Sequence, residues 1–304
     1  MRDLPGVLIL GGNGYTGSVL HETMLRAPQR CRVHSVDLCC FGRNLGMSQE
    51  VDIFDIDTLE GYRSVILLAG YSSVKMCSSD RDASWRGNVD GFRHISGLIR
   101  GGQRLIFASS ASIYPGGVVD AHEGMALPVR FRTEYDMQKM VVEMLAEEGM
   151  RMGKDIIGLR MGTVNGSSPN TRSDLLLNSM VRSALDSGVV KVRGPQVRRS
   201  VLGINDFARA VMEVALWGDA PPGMYNLASF SGTVGGFGCM VAEMTGARVE
   251  VEGQADVPFD FTLDSRRFSG VFGFSFEEQV GDVISGLIRS HPGAVYGERG
   301  GGCG

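Results

Sequence analysis

Apolar positions in the first half of the chain fall in short blocks separated by helix-like segments. VLIL (7–10) ends at a glycine turn and is followed by SVLHETMLRA, whose apolar residues recur at helical spacing. CRVHSVDL (31–38) reads as a second strand, EVDIFD (50–55) as a third and SVILLAG (64–70) as a fourth. The fourth is continuously apolar, as strands buried on both faces of a parallel sheet are. A polar helix is expected over 82–100, a fifth strand at RLIFASS (104–110), a helix over 133–149 and a sixth strand at DIIGLRMG (155–162). Strand–helix alternation at this spacing predicts βαβ units and a doubly wound parallel sheet.

Beyond residue 162 the alternation loosens. GSSPNTRSD reads as a loop, 174–187 as a helix, VVKVRG as a short strand and 205–217 as a helix. Short strands (VEVEG, FDFTLD) and two amphipathic helices are expected over 223–290. The expected organisation is a first domain at 1–162, completed by parts of 186–217. A smaller, interleaved α/β substrate domain covers mainly 163–290, and 291–304 is a flexible tail.

Composition narrows the function classes. The 304 residues are 43% hydrophobic and 21% charged, with mean hydropathy of +0.02. A net charge of −4 and a pI of about 5.8 argue against bulk nucleic-acid binding. No apolar run reaches the ~18 residues of a membrane span, and the N-terminal run ends in glycines as a strand does, not as a signal peptide does. The six cysteines form no C-x-x-C and no metal spacing, which fits a reduced, cytoplasmic protein without a metal. Arginine outnumbers lysine 26 to 4, and nothing physical in the sequence explains it.

GGNGYTG (11–17) places Gly11, Gly14 and Gly17 at G-x-x-G-x-x-G spacing. In so glycine-rich a chain about one such match arises by chance, and GTVGGFG (232–238) is a second. Context favours the first: it follows an apolar strand and opens a helix, where free N–H groups and the helix dipole receive a pyrophosphate. Asp37 ends the second strand twenty residues after Gly17. A carboxylate there accepts the adenosine ribose hydroxyls and repels a 2′-phosphate, so NAD is expected over NADP, with Arg43 near enough to soften the preference. The sheet is therefore expected to be of the Rossmann type.

RTEYDMQKMV (132–141) sets Tyr135 four residues before Lys139, on one helix face. An ammonium beside a phenol favours the phenolate, so Tyr135 is expected to act as a base near neutral pH.

Together these segments resemble the extended short-chain dehydrogenase/reductase superfamily, specifically its NAD-dependent sugar-nucleotide epimerases and dehydratases, with UDP-glucose 4-epimerase-like members foremost. The resemblance runs from about residue 5 to 290 and rests on GGNGYTG, VILLAGYSS, GNVDG, FASSASIY, YDMQK, LRMGTVNGSSP and RRSVLGINDFARAV, in that order. It implies that Gly11, Gly14 and Gly17 hold the pyrophosphate and Asp37 the ribose, with Tyr15 and Thr16 also among the cofactor-binding residues. Asp55 and Ile56, or alternatively Asp52 and Ile53, flank the adenine. Ala69, Gly70 and Asn88 line the cofactor cleft. Ser110, Tyr135 and Lys139 match the catalytic serine, tyrosine and lysine, with Lys139 also anchoring the nicotinamide ribose. The chemistry is coherent, since oxidising a secondary alcohol needs a base, a hydride acceptor and a donor to the developing oxyanion.

On the substrate side, KVRGPQVRR (191–199) gathers Lys191, Arg193, Arg198 and Arg199 without an acid, a spot suited to a diphosphate. The resemblance singles out Arg199 and Asn178 as phosphate ligands, and Ser72, Ser112 and Thr163 as substrate contacts. It also implies a nucleotide-diphosphate sugar as substrate and a homodimer built on the helices near 82–100 and 133–149. Thr163, Gly203 and Pro115 depart from the family's frequent asparagine, histidine and glycine.

Ala111 and Ser112 follow the catalytic serine where related 4,6-dehydratases carry acids and some carbon-epimerising relatives a cysteine. Neither titrates usefully. The expected activity is therefore epimerisation at C4 through a transient 4-keto sugar. An NAD(P)-dependent 4-keto-sugar reductase, a sugar-nucleotide dehydratase and a non-catalytic dinucleotide-binding protein are the alternatives.

Overall fold

The computed structural model describes residues 4–40, 44–128, 131–253 and 260–292. Arg43, Cys303 and the tail from 293 onward lie outside the described residues. The strands are β1 Gly6–Leu10, β2 Arg32–Asp37, β3 Gln49–Glu50, β4 Ser64–Leu67, β5 Arg104–Ser110, β6 Val118–Ala121 and β7 Asp155–Met161. They continue with β8 Thr163–Asn165, β9 Val189–Val192, β10 Arg198–Gly203, β11 Gly223–Leu227, β12 Phe230–Thr233, β13 Arg248–Val251 and β14 Phe261–Leu263. The α-helices are α1 Tyr15–Leu25, α2 Val74–Ser79, α3 Arg81–Trp85, α4 Gly91–Leu98 and α5 Glu134–Arg151. The others are α6 Leu176–Ser187, α7 Ile204–Leu216, α8 Val234–Thr245, α9 Arg266–Phe272 and α10 Val280–Ser290.

Seven strands form one parallel sheet in the order β11-β7-β5-β4-β1-β2-β3. The chain winds outward from β1 through β2 and β3, then returns to β4 and winds the other way. This is the expected doubly wound, Rossmann-type α/β sheet. The order reverses beside β1, and in such sheets the crevice outside the strand C-termini at that point receives the ligand. Alternation along β1 builds both layers of the core. Val7 and Ile9 pack with Leu20, Phe207 and Tyr225 on one face, while Leu8 and Leu10 pack with Phe92, Phe107 and Val142 on the other.

Two local differences from expectation concern turns. The stretch 50–55 does not continue as a strand: the Asp52 carboxylate accepts from Phe54 N at 3.0 Å and turns the chain into a 3-10 turn at Ile53–Asp55. The helix over 82–100 is interrupted by a π turn at Arg86–Asp90, which carries the buried Asn88. Within the 186–217 segment expected to complete the first domain, α7 packs on α1, and Gly223–Leu227 adds the seventh strand of the main sheet.

The remaining elements form a smaller layer. β10 joins β12 and β8, β13 pairs with β9, and β14 with β6. Leu177, Val181, Val192, Phe237, Val241 and Ile284 share its core. The second glycine match lies here. It leads from β12 into α8, where Thr233 Oγ1 caps Gly236 N at 3.0 Å, and a Cβ at Gly238 would meet Val192 at 2.5 Å. Those glycines serve close helix–strand packing.

Candidate active site

Gly11 follows β1 at φ +95°, and its N–H donates to Val36 O at 2.8 Å. A Cβ there would meet Ala69 N at 2.5 Å, and one at Gly17 would fall on the Gly11 carbonyl. Both positions therefore demand glycine if the loop is to close between β1, β4 and α1. Gly14 differs. It is the N-cap of α1, it lines the cleft, and a Cβ on it would touch only Gly11 O, at 3.4 Å. The bare backbone at Gly14 leaves the helix N-terminus open to a pyrophosphate. At the end of β2, the Asp37 carboxylate accepts from Asn13 N at 2.9 Å and Cys39 N at 2.8 Å. It sits beside the loop with acceptor capacity left for ribose hydroxyls. These features fit NAD.

The cleft has a volume of about 1430 Å³, more than the roughly 300–1,000 Å³ of a single small-ligand pocket. Gly11, Gly14, Tyr15, Thr16, Ala69, Gly70 and Asn88 line it, as do Ser110, Ser112, Tyr135 and Lys139 and also Ser72, Thr163, Asn178 and Arg199. Gly17, Asp37, Asp55 and Ile56 do not line it. Asp55 is exposed, while the Ile56 carbonyl bonds His94 Nε2 at 3.0 Å. In the alternative register, the Asp52 carboxylate is used in the 3-10 turn and Ile53 is buried against Gly91.

Ser110 ends β5, where the strand passes into a 3-10 turn. Its hydroxyl donates to Ser112 Oγ at 2.9 Å and accepts from Ser112 N at 3.2 Å. Tyr135 and Lys139 lie in the first two turns of α5, which starts sharply because Thr133 Oγ1 accepts from Asp136 N at 3.1 Å. Lys139 Nζ donates to Ala108 O at 2.8 Å and lies 5.6 Å from the Tyr135 ring centroid. Glu143, one turn further along the same face, accepts from Ser109 Oγ. It also holds the buried Arg160 through Nη2 at 2.7 Å. This buried pair ties α5 to β5 and β7, at the depth where Tyr135 meets Ser110.

The electrostatics differ from the sequence expectation. Burial pushes Tyr135 up to about 12, against the downward pull of the Ser110 hydroxyl and of Arg172. Burial likewise pushes Lys139 down to about 8. Desolvation outweighs the lowering influence of the Ser110 hydroxyl and Arg172, so Tyr135 is not a neutral-pH phenolate in the protein alone.

The basic spot at 191–199 is also changed by folding. Glu252 pairs with Lys191 at 3.0 Å and Arg193 at 2.7 Å, and Asp260 with Arg198 at 2.7 Å. Acids distant in sequence thus neutralise three of the four cations. Arg199 is the one of the four that lines the cleft; burial pushes its pKa down to about 10. The buried Asn178 has internal partners: its Oδ1 accepts from Gly166 N at 3.0 Å, and its Nδ2 donates to Arg172 O at 2.8 Å and Tyr15 Oη at 3.2 Å. Asn88 clamps the loop after β4, accepting from Tyr71 N at 2.8 Å and donating to Tyr71 O at 3.1 Å. At Gly203, a Cβ would collide with the Glu278 carboxylate, which caps α7 through Asn205 N and Asp206 N.

Three groups in or against the site were not singled out by the sequence. Arg172 lines the cleft, donating to Ser72 Oγ at 3.0 Å while paired with Asp174 at 2.7 Å. The segment 166–174 crosses the glycine loop, with Ser168 Oγ donating to Tyr15 O and Asn170 Nδ2 to Asn13 O, both at 2.7 Å. Asp136 is buried directly after Tyr135; its only signal was an acid at the third position of the helix.

Comparison with known proteins agrees with this geometry. Residues 7–228 match the model of the NAD dependent epimerase/dehydratase family. A 3-beta-hydroxysteroid dehydrogenase of Mycolicibacterium neoaurum is 28% identical over 156 residues, 46% of this chain and 42% of that protein. The shared region is thus less than half of that relative's length. MoeE5 in complex with UDP-glucose and NAD superposes with a TM-score of 0.80 at 25% identity, over 93% of this chain and 97% of that one. The UDP-glucuronic acid 4-epimerase of Bacillus cereus has the same fold, at 18% identity and a TM-score of 0.80, over 93% and 97% of the two chains. No helix among the described residues is long and apolar enough to cross a membrane. The chain is an enzyme of the NAD-dependent epimerase/dehydratase family, with NAD as its cofactor.

Proposed function

We propose that the enzyme is a sugar-nucleotide epimerase acting at C4 through a transient 4-keto sugar. One observation carries the reading. Ser110, Tyr135 and Lys139 line a single cleft together with the glycine loop and Arg199, while Ala111 and Ser112 stand where elimination would need acids. NAD supplies the hydride acceptor. Ser110 holds the substrate oxygen, Tyr135 takes its proton, and Lys139 holds charge beside the phenol and binds the nicotinamide ribose. Arg199 takes the diphosphate, with Ser72, Ser112 and Thr163 facing the sugar and Asn178 supporting that wall. The likeness to MoeE5, which was solved with UDP-glucose and with UDP-glucuronic acid, favours a UDP-sugar as substrate. Two copies would pair through α4 and α5, whose outer face carries the exposed Met144; sedimentation of the purified protein tests this.

The function is tested by NMR in deuterated solvent, with UDP-, GDP- and dTDP-hexoses and catalytic NAD. Expected is conversion to the C4 epimer without solvent deuterium in the product, abolished by Tyr135→Phe. Deuterium at C3 or C5 would instead mean proton abstraction beside a ketone, and the C4 reading would be wrong.

A further inference from the structure

A buried polar cluster packs against α5 where it carries Tyr135 and Lys139, and the proposed chemistry uses none of Cys77, Ser84 and Gln138 in it. With Asn88 these side chains are almost wholly buried, Gln138 at 1% exposure. Gln138 immediately precedes Lys139 and follows Tyr135 by three residues. Its Oε1 accepts from Asn88 Nδ2 at 2.7 Å and from Cys77 Sγ at 3.5 Å, and its Nε2 donates to Ser84 Oγ at 2.9 Å. Apolar side chains could fill such a space without the cost of desolvating an amide. A satisfied buried polar cluster does something that apolar packing does less well: it specifies one arrangement of its surroundings.

The arrangement fixed here is that of the loop after β4. Asn88, presented by the π turn, donates through Nδ2 to Tyr71 O at 3.1 Å as well as to Gln138, and its Oδ1 accepts from Tyr71 N at 2.8 Å. By taking a hydrogen from Nδ2, Gln138 sets which end of the Asn88 amide faces Tyr71 N. Gly70 passes so close, at φ +136°, that a Cβ on it would lie 2.3 Å from Asn88 Oδ1. Gly70, Tyr71 and Ser72 line the same cleft as Tyr135 and Lys139. We propose that Gln138 is a positioning residue: through Asn88 it holds the loop 70–72 in register with Lys139, so that the nicotinamide half of NAD is immobilised for hydride transfer. This rests on the reading of Lys139 as the group that binds the nicotinamide ribose.

Gln138 transfers nothing in this role; it acts through placement. A misplacement of about 1 Å can cost on the order of 100-fold in rate. Without the Gln138 oxygen the Asn88 amide is held by Tyr71 and Cys77 alone and is free to turn, and the loop loosens with it. Lys139 keeps its own bond to Ala108 O at 2.8 Å, and Ser72 keeps its tie to Arg172 at 3.0 Å. The loss therefore falls on the rate of hydride transfer and not on the affinity for the sugar nucleotide.

Two measurements test the assignment. The first needs no sugar: the fluorescence anisotropy decay of NADH bound to the protein. In the wild type the nicotinamide should turn only with the whole molecule. Gln138→Met keeps the length of the side chain but not its hydrogen bonds, and should add a fast local decay. Gln138→Glu keeps an oxygen for Asn88, and Ser84→Ala leaves the Gln138–Asn88 bond in place. Neither should add that decay, even where the melting temperature falls. Should Gln138→Met not fold, Gln138→Asn, which withdraws the amide by one bond, takes its place. The same decay in wild type and Gln138→Met, or a fast decay that simply follows loss of melting temperature across the variants, would overturn the proposal. The second measurement is single-turnover hydride transfer, read from nicotinamide absorbance with whichever sugar nucleotide turns over. Gln138→Met should slow it by about 10- to 100-fold with KM unchanged, while Ser84→Ala stays close to the wild-type rate. An unchanged rate in Gln138→Met, or a loss confined to KM, would equally sink it. If no sugar nucleotide turns over, the proposed function fails, and the anisotropy still decides the role of Gln138.

Discussion

The phenol of Tyr15 and the side-chain amide of Asn178 meet at 3.2 Å although 163 positions separate them in sequence. Tyr15 also donates to Gly166 O at 3.0 Å. One side chain of the glycine loop is therefore fastened to α6 and to the loop after β8, which also line the cleft. Burial raises the Tyr15 pKa well above the ordinary tyrosine value, so the phenol remains a donor throughout the working pH range. Tyr15→Phe is expected to cost about 1–3 kcal/mol of stability, because buried partners lose their hydrogen bonds. It should also speed NAD dissociation. Thermal melting and stopped-flow release of the nucleotide check both; an unchanged release rate would mean that the link does not restrain the loop.

Gly17 and Gly14 should separate fold from cofactor binding. Gly17→Ala drives a Cβ into the Gly11 carbonyl, so it should lower the melting temperature as well as abolish NAD binding. Gly14→Ala adds a Cβ toward the open cleft, with Gly11 O at an ordinary 3.4 Å. It should melt close to the wild type while losing most NAD affinity. Melting curves with and without NAD distinguish the two outcomes.

Lys139 illustrates a conflict between activity and stability. Its pKa falls from the ordinary 10.5 to about 8, so the folded state disfavours the ammonium. For a base with a lowered folded pKa, the penalty is complete below the folded value and vanishes above the unfolded one. Lys139→Met should therefore gain stability relative to the wild type below about pH 8, the gain fading as pH approaches 10.5. Turnover should fall at every pH. A stability difference independent of pH would show that the lysine is not desolvated as described.

The Arg160–Glu143 pair predicts a non-additive pattern. Both side chains are nearly inaccessible, at 4% and 3%. Removing one charge strands the other, so Glu143→Gln or Arg160→Met should each cost about 3–5 kcal/mol. The double variant should recover much of this loss, as chemical denaturation would show. Additive losses would mean that the two groups are not coupled.

Much of this site was legible because its chemistry is local. A strand ending in glycines, a serine ending another strand, and a tyrosine and lysine one helical turn apart all lie within short windows. Patterns of period two and 3.6 register such windows. What the sequence hid depends on distant partners. Glu252 and Asp260 neutralise the basic segment from 59 and 62 positions away. Asn178 also binds Tyr15, Gly166 and Arg172 through its amide, partners that its sequence neighbourhood does not announce. Asp136 stood in plain view, but burial is a property of the packed helix and not of the heptapeptide around it. The energetics of Tyr135 failed for the same reason, since only the folded interior decides how far desolvation outweighs a neighbouring charge.

The segment 166–174, tied across the glycine loop by Ser168 and Asn170, has a consequence for how the enzyme keeps its redox accounts. On the proposed C4 epimerisation, a dinucleotide held under such a tie would act as a resident prosthetic group and not as a co-substrate exchanged at each turnover, and each cycle would begin and end with the same oxidation state. A keto sugar that escapes before hydride returns would strand a reduced, silent molecule, which an external ketone of the right shape could reawaken. Activity that decays with turnover number instead of with time would be the trace of that closed ledger.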